Sequence, residues 1–327
     1  MNITVLGHGA WGSALAIHLC QGHRVTLWGR DNQILEQMKR ELENKKYLPG
    51  IPLPKALLLN SDLTVALEGV ELIIVATPIA SLRSILEILQ PLTHVPIIWV
   101  CKGFEPTTGL LAHQIAEQVL GANYPCAVLS GPSFAQELAK GLPTAVTLAA
   151  KEIELAQQLM QQLHHPRLRL YASEDITGVE IAGAMKNIMA IAAGLSDGLH
   201  LGHNARAALI TRGLAEISRL GVAVGGKSET FMGLSGLGDL VLTATGPLSR
   251  NYRVGKALAE GQQLTTVLQQ LGHVAEGVGS AFEVMKLAKK YHIDLPISQM
   301  VEALLKATIT PQEAVESLLN REPKRES

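Results

Sequence analysis

The sequence predicts an α/β domain followed by an all-helical one. Three observations carry that expectation. Short apolar runs alternate with helix-like stretches through the first half of the chain. Strand signals stop near Ala172, and long helical patterns take over. A glycine-rich segment, Gly7-His8-Gly9-Ala10-Trp11-Gly12, joins the first strand signal to the first helix signal.

Strands are expected at residues 3–6, 25–28, 72–76, 97–101, 127–130, 145–149 and 168–171. Most are continuous runs of Val, Ile and Leu, which suits strands covered on both faces of a parallel sheet. Helices are expected between them, at 11–21, 34–43, 82–89, 110–120 and 152–163. Residues 45–55, with Pro49, Gly50, Pro52 and Pro54, read as a loop. Further helices are expected at 176–195, 205–220, 251–260, 281–291 and 296–307. The domains expected are 1–172 and 173–319, with a charged tail at 320–327 that lacks apolar residues and reads as disordered.

Composition bounds the function. The chain has 327 residues, enough for two domains, with 47% hydrophobic and 17% charged residues, which excludes a disordered protein. A formal net charge of -1 argues against a nucleic-acid binder. Cys20, Cys101 and Cys126 are far apart and odd in number, so neither a disulfide framework nor a zinc site is expected. Neither a signal peptide nor a membrane-spanning run is expected, and the compartment expected is the cytoplasm.

The segment from Gly7 to Gly12 fits G-x-G-x-x-G in a strand–turn–helix context. Gly7 permits the tight turn, Gly9 lets the backbone approach a pyrophosphate, and Gly12 lets helix and strand pack closely. The first helix, opening at Ala10 and Trp11, offers N–H groups to the phosphates. The first domain is therefore expected to be a Rossmann-like doubly wound sheet. An acid is usual about 20 residues on, where it holds the ribose 2′-hydroxyl of NAD. Here Gly29 takes that place and Arg30 follows. Arg30 favours NADP through its 2′-phosphate, with NAD still usable. The alternative is a solvated Arg30 beside an Asp31 that merely caps the next helix.

Lys186 is the only basic residue between Glu180 and Asp197 in an almost wholly apolar helix. At helical spacing it shares a stripe with Val179, Ala182, Met189 and Ala193. Desolvation would lower its pKa and suit it to proton transfer. The alternatives are a lysine that reaches the surface or makes a structural salt bridge.

Other polar positions stand at element ends. Lys102 ends one strand, and Gly131 and Ser133 follow the next, where ligands bind in doubly wound sheets. Ser133 and Gln136 also have capping-box spacing, a structural alternative. The glycine-rich segment 233–238 reads as a loop before Asp239. Ser249-Arg250-Asn251 opens a helix and reads either as an anion site or as an ordinary cap with a solvated arginine. His200 and His203 lack further ligands at metal-site spacing, so no metal is expected.

Together the motifs resemble the soluble NAD(P)-dependent glycerol-3-phosphate dehydrogenases of bacterial type, over nearly the whole chain. The resemblance rests on Gly7–Gly12, Trp28-Gly29-Arg30, Cys101-Lys102-Gly103, Ser130-Gly131-Pro132-Ser133 with Phe134-Ala135, the helix around Lys186, Gly236-Leu237-Gly238-Asp239, Ser249-Arg250-Asn251, and Val274 with Glu276. His8 stands where such enzymes often carry a small residue. The resemblance implies reversible hydride transfer between NAD(P)H and dihydroxyacetone phosphate, giving sn-glycerol 3-phosphate for glycerophospholipid synthesis. It implies Lys186 as proton donor and acceptor. It implies Lys102, Gly131, Ser133, Asp239, Ser249, Arg250 and Asn251 at the substrate. It implies Trp11, Arg30, Lys102, Ala135, Arg250, Val274 and Glu276 at the dinucleotide. Its partners would be small phosphorylated molecules, with a homodimer compatible. Two alternatives remain: a β-hydroxyacid or ketopantoate-type dehydrogenase, and a dinucleotide-sensing regulator without chemistry.

Overall fold

The apolar runs of the first half become one sheet of strands β1 (Asn2–Leu6), β2 (Arg24–Trp28), β3 (Leu58–Asn60), β4 (Leu72–Val75), β5 (Ile97–Trp99), β6 (Cys126–Ser130), β7 (Thr144–Ala150) and β8 (Leu168–Ser173). The structure is a computed structural model that describes residues 1–271 and 275–322. Strand order is β3-β2-β1-β4-β5-β6-β7-β8. All neighbours run parallel except β6 and β7, which pair antiparallel with Ser130 opposite Thr147. The expected doubly wound sheet is therefore present, with a mixed ladder at one side. Order reverses between β1 and β4, the point where ligands settle at the carboxyl ends of such strands.

Helices cover the sheet: α1 (Ala10–Leu19), α2 (Asn32–Glu41), α3 (Leu63–Ala66), α4 (Leu82–Leu89), α5 (Ala112–Leu120), α6 (Ala135–Ala139) and α7 (Ile153–Gln162). Two apolar clusters result. Val5, Leu27, Ile74 and Ile98 pack with α1 and α7 residues such as Leu15 and Leu159. Leu6, Ile73, Val75 and Trp99 pack with α4 and α5 residues such as Leu86 and Ile115. Successive residues of β4 thus enter opposite clusters, as the two-residue period of a strand requires.

Beyond the sheet come α8 (Ile176–Gly198), α9 (Gly202–Ala223), α10 (Ser228–Met232), α11 (Asp239–Thr245), α12 (Arg250–Ala259), α13 (Leu264–Leu271), α14 (Glu276–Tyr291), α15 (Pro296–Leu305) and α16 (Pro311–Leu319). The chain divides into two compact units, Met1–Glu105 with Leu110–Glu180, and Pro106–Gly109 with Ile181–Ser327. Helix α8, at 23 residues, is long and apolar enough to cross a membrane, although no such run is expected from the sequence. Most of it is buried inside the fold, which accounts for the same composition in a core helix.

One further expectation needs correcting, and two other features go beyond the sequence reading. Residues 233–238 are not a loop: Leu234–Gly238 form a π-helical turn that runs into α11. Gly236 permits it, because a Cβ there would lie 2.0 Å from the Phe231 carbonyl oxygen. Strand β3 also went unexpected, being only three residues after a proline-rich stretch. Within the tail, Arg321 pairs with Asp294 at 2.7 Å, and residues 323–327 lie outside the described residues.

Candidate active site

The glycine segment is built around the reversal point of the sheet. Gly7 leaves β1 at φ 116°, a left-handed backbone that favours glycine. A Cβ on Gly7 would lie 2.7 Å from the Ala76 carbonyl oxygen, and one on Gly12 would lie 1.9 Å from the Gly7 carbonyl oxygen. The turn, the end of β4 and helix α1 are therefore in backbone contact. Gly9 is different, because an added Cβ meets nothing within 4 Å. Gly9 is the N-cap of α1, with no side chain capping the helix. The first N–H groups of a helix, here those of Ala10 and Trp11, have no partner within it. A crowded Gly7 and Gly12 around an open Gly9 form a cradle that fits the pyrophosphate of a dinucleotide. Asn44, buried in the loop after α2, supports it by donating to the His8 carbonyl and to Ser13 Oγ, each at 2.8 Å.

Arg30 lies exposed just past β2. Asp31 is the N-cap of α2 and accepts from Ile34 N at 3.2 Å. The capping role considered for Asp31 is thus its observed one. Trp11 Nε1 donates to the Ser133 carbonyl at 3.3 Å. The Ser133 hydroxyl donates to the Gly131 carbonyl at 2.9 Å. Capping of α6 by Ser133 does not occur, since the N-cap is Phe134 and no side chain caps that helix. Trp11, Gly131, Ser133 and the start of α6 at Ala135 therefore come together. Lys102 lies half-buried in the coil beyond β5.

In the helical unit Lys186 stays inside the fold at 8% exposure. Its Nζ donates to Asp239 Oδ1 and, at 2.9 Å, to Thr243 Oγ1. The Thr243 hydroxyl donates in turn to the Asp239 carbonyl at 2.6 Å. Asp239 and Thr243 are one turn apart on α11 and so share a face. A buried ammonium is tolerated where a carboxylate compensates its charge and hydrogen bonds fix its place.

One to two turns further along, α8 touches the first turns of α12. A Cβ on Gly194 would lie 1.9 Å from the Tyr252 carbonyl oxygen, and one on Gly255 would lie 1.8 Å from the Ile191 carbonyl oxygen. The two backbones therefore cross in direct contact. At the start of α12 the Ser249 hydroxyl caps the helix by accepting from Tyr252 N at 3.2 Å, and Arg250 is exposed. Asn251 Oδ1 accepts from Gly277 N at 3.1 Å. A Cβ on Gly277 would lie 2.8 Å from both the Asn187 carbonyl oxygen and Asn251 Oδ1. Asn187, Asn251 and the first turn of α14, which begins at Glu276, thus converge. Val274 lies outside the described residues.

The family descriptions for the N-terminus and the C-terminus of NAD-dependent glycerol-3-phosphate dehydrogenase match residues 2–156 and 175–316 of this chain. The chain belongs to that family. A relative named glycerol-3-phosphate dehydrogenase [NAD(P)+] in Thiobacillus denitrificans is 56% identical over 323 residues, which are 98% of each chain. The crystal structure of glycerol-3-phosphate dehydrogenase from Coxiella burnetii superposes with a TM-score of 0.93 at 43% identity, covering 98% of this chain and 99% of that one. A ketopantoate reductase of Ralstonia eutropha, at 14% identity and TM-score 0.59 over 96% of this chain and all of that one, shares the fold alone. Membership makes the chain an NAD(P)-dependent dehydrogenase, and the ketopantoate and regulator alternatives are not favoured.

Two clusters escape a sequence reading of this family member. Thr243 completes the environment of Lys186, and its signal was a hydroxyl one turn after Asp239 in an apolar helix. Glu180, at the start of α8, accepts from Trp99 Nε1 at 2.7 Å and meets His113 Nδ1 at 2.6 Å. Burial pulls the His113 imidazole down, but its hydrogen bond and charge interaction with Glu180 outweigh this and hold it above the usual range. No sequence spacing joins Trp99, His113 and Glu180, because they lie on three separate elements, β5, α5 and α8.

Proposed function

We propose that this chain reduces dihydroxyacetone phosphate reversibly to sn-glycerol 3-phosphate with NADPH or NADH, in the cytoplasm, to supply the backbone of glycerophospholipids. The observation that carries the reading is the buried Lys186, held by Asp239 and Thr243 in a member of this family. Bound nicotinamide supplies or accepts a hydride at the substrate's C2. Negative charge then develops on the C2 oxygen and needs a hydrogen-bond donor that is also an acid. Lys186 takes that role, with Asp239 and Thr243 fixing its amine. Arg250, the capping Ser249 and Asn251 bind the substrate phosphate at the start of α12, where the helix dipole favours an anion. Lys102, Gly131 and Ser133 complete the substrate contacts, with Gly131 and Ser133 kept in one turn by their hydrogen bond. The cradle from Gly7 to Gly12, with Trp11 and Ala135, holds the dinucleotide, and Arg30 reads a 2′-phosphate. Lys102, Arg250, Val274 and Glu276 add further dinucleotide contacts. The spacing of Cys20, Cys101 and Cys126, far apart and odd in number, suits a reducing compartment.

The test is oxidation of NADPH by the purified protein with dihydroxyacetone phosphate, ketopantoate and succinic semialdehyde in parallel. Turnover with the phosphorylated ketone alone is expected. Preference for either carboxylate substrate would overturn the reading.

A further inference from the structure

Gly29 stands where an acid would reach the ribose 2′-hydroxyl, and the structure contains a reason for its lack of a side chain. A Cβ on Gly29 would lie 2.1 Å from His8 Nδ1, 2.8 Å from Cε1 and 3.0 Å from Cγ. The obstacle is the imidazole ring itself, and not the far end of a flexible chain. The backbone that carries the ring is also held, and one side chain packs on the ring. Gly7 N donates to the Trp28 carbonyl at 2.9 Å, which brings the glycine turn beside the end of β2. The His8 carbonyl accepts from Asn44 Nδ2 at 2.8 Å and Ser13 Oγ at 3.2 Å. Tyr47 meets the imidazole edge-on at 5.6 Å between centroids.

The surroundings of the ring suit an anion. Arg30 and Lys46 both act on His8 electrostatically, and the one acid that does so, Asp31, is engaged as the cap of α2. Burial lowers His8 below the usual imidazole range; Asp31 opposes this and Lys46 and Arg30 add to it. The ring is therefore a neutral hydrogen-bonding group at neutral pH. Its Nε2 is buried without a hydrogen-bond partner among the described residues, a state that costs stability until rotation of the ring brings it to a partner such as a bound ligand.

We propose that His8 is a specificity-determining residue of the dinucleotide site: its imidazole fills the position from which an acid at residue 29 would bind the ribose 2′-hydroxyl, and beside Arg30 it receives a 2′-phosphate. The proposal rests on the reading that the end of β2 faces the adenosine ribose. An acid there would repel a 2′-phosphate and favour NADH. His8 excludes the acid sterically and, once its ring turns, offers a donor in its place. Discrimination thus begins in the first variable position of the glycine turn.

Isothermal titration calorimetry of NADPH and NADH binding, with thermal melts of the free proteins, tests this. His8→Ala weakens NADPH relative to NADH by about threefold to tenfold, as expected for loss of one neutral hydrogen bond. Gly29→Asp alone lowers the melting temperature and weakens both cofactors, because the ring is in the way. Adding His8→Ala to Gly29→Asp restores the melt and NADH binding while NADPH stays weak. Equal losses of both cofactors in His8→Ala, or a Gly29→Asp protein indifferent to removal of His8, overturn the proposal. Arg30→Ala separates the two readings. If Arg30→Ala changes the NADPH to NADH ratio and His8→Ala does not, the role of Arg30 stands and that of His8 fails. If neither changes it, both fail.

Discussion

Lys186 and Asp239 form an ion pair inside the helical unit, where the lysine is 8% and the aspartate 1% exposed. Removing the amine therefore does more than remove an acid. Lys186→Met leaves Asp239 charged, buried and deprived of its counter-ion, which costs about 3–5 kcal/mol of stability by the usual behaviour of broken buried pairs. Adding Asp239→Asn removes the stranded charge and recovers a large part of that loss. Urea melts of the two proteins check this. Equal midpoints for wild type and Lys186→Met would show that the pair contributes nothing to folding.

Arg30→Ala weakens NADPH more than NADH, by about 1–3 kcal/mol for a lost hydrogen bond to a charged group. Equilibrium binding of both cofactors measures it. Equal losses would mean that Arg30 does not read the 2′-phosphate.

Arg250→Ala raises KM for dihydroxyacetone phosphate. Phosphate binding also orients the distant carbonyl, so kcat falls as well. Unphosphorylated dihydroxyacetone is a very poor substrate for the wild type. Steady-state kinetics with both ketones check this, and normal kinetics in the variant would move the phosphate away from α12.

His18 on α1 is 1% exposed and packs edge-on against His165 at 4.4 Å between ring centroids. Burial, with a smaller effect from His165, lowers its pKa from 6.5 to about 4. As pH falls below 6.5 the unfolded chain takes up a proton that the folded chain refuses until about pH 4. Stability from the neutral buried imidazole is thus full above 6.5 and declines across that window. The melting temperature of the wild type falls more steeply from pH 7 to pH 5 than that of His18→Leu. Parallel profiles would remove His18 from the acid response.

Much of this was legible in the sequence for physical reasons. A glycine turn between strand and helix has few uses, and a single lysine in an apolar helix must find a counter-charge. Direction was not legible in β7, because a continuous apolar run pairs equally well either way, and here it runs antiparallel to β6. The helical character of Leu234–Gly238 was masked by glycines whose purpose is close packing, as Gly236 against Phe231 shows. The capping box of Ser133 and Gln136 failed because the helix began one residue later, at Ala135, while Ser249 did become a cap. Side chains from separate elements, such as His8 beside Gly29, leave no local spacing to read.

Single-turnover reduction of dihydroxyacetone phosphate by Lys186→Met, at a temperature where its melt shows it folded and its NADPH affinity is measured on the same sample, bears most directly on the chemistry. With NADPH still bound, the rate falls by roughly 10²–10⁴, the range for loss of a general acid. A folded, NADPH-binding Lys186→Met protein that turns over near the wild-type rate would contradict the account and leave Lys186 as a structural partner of Asp239.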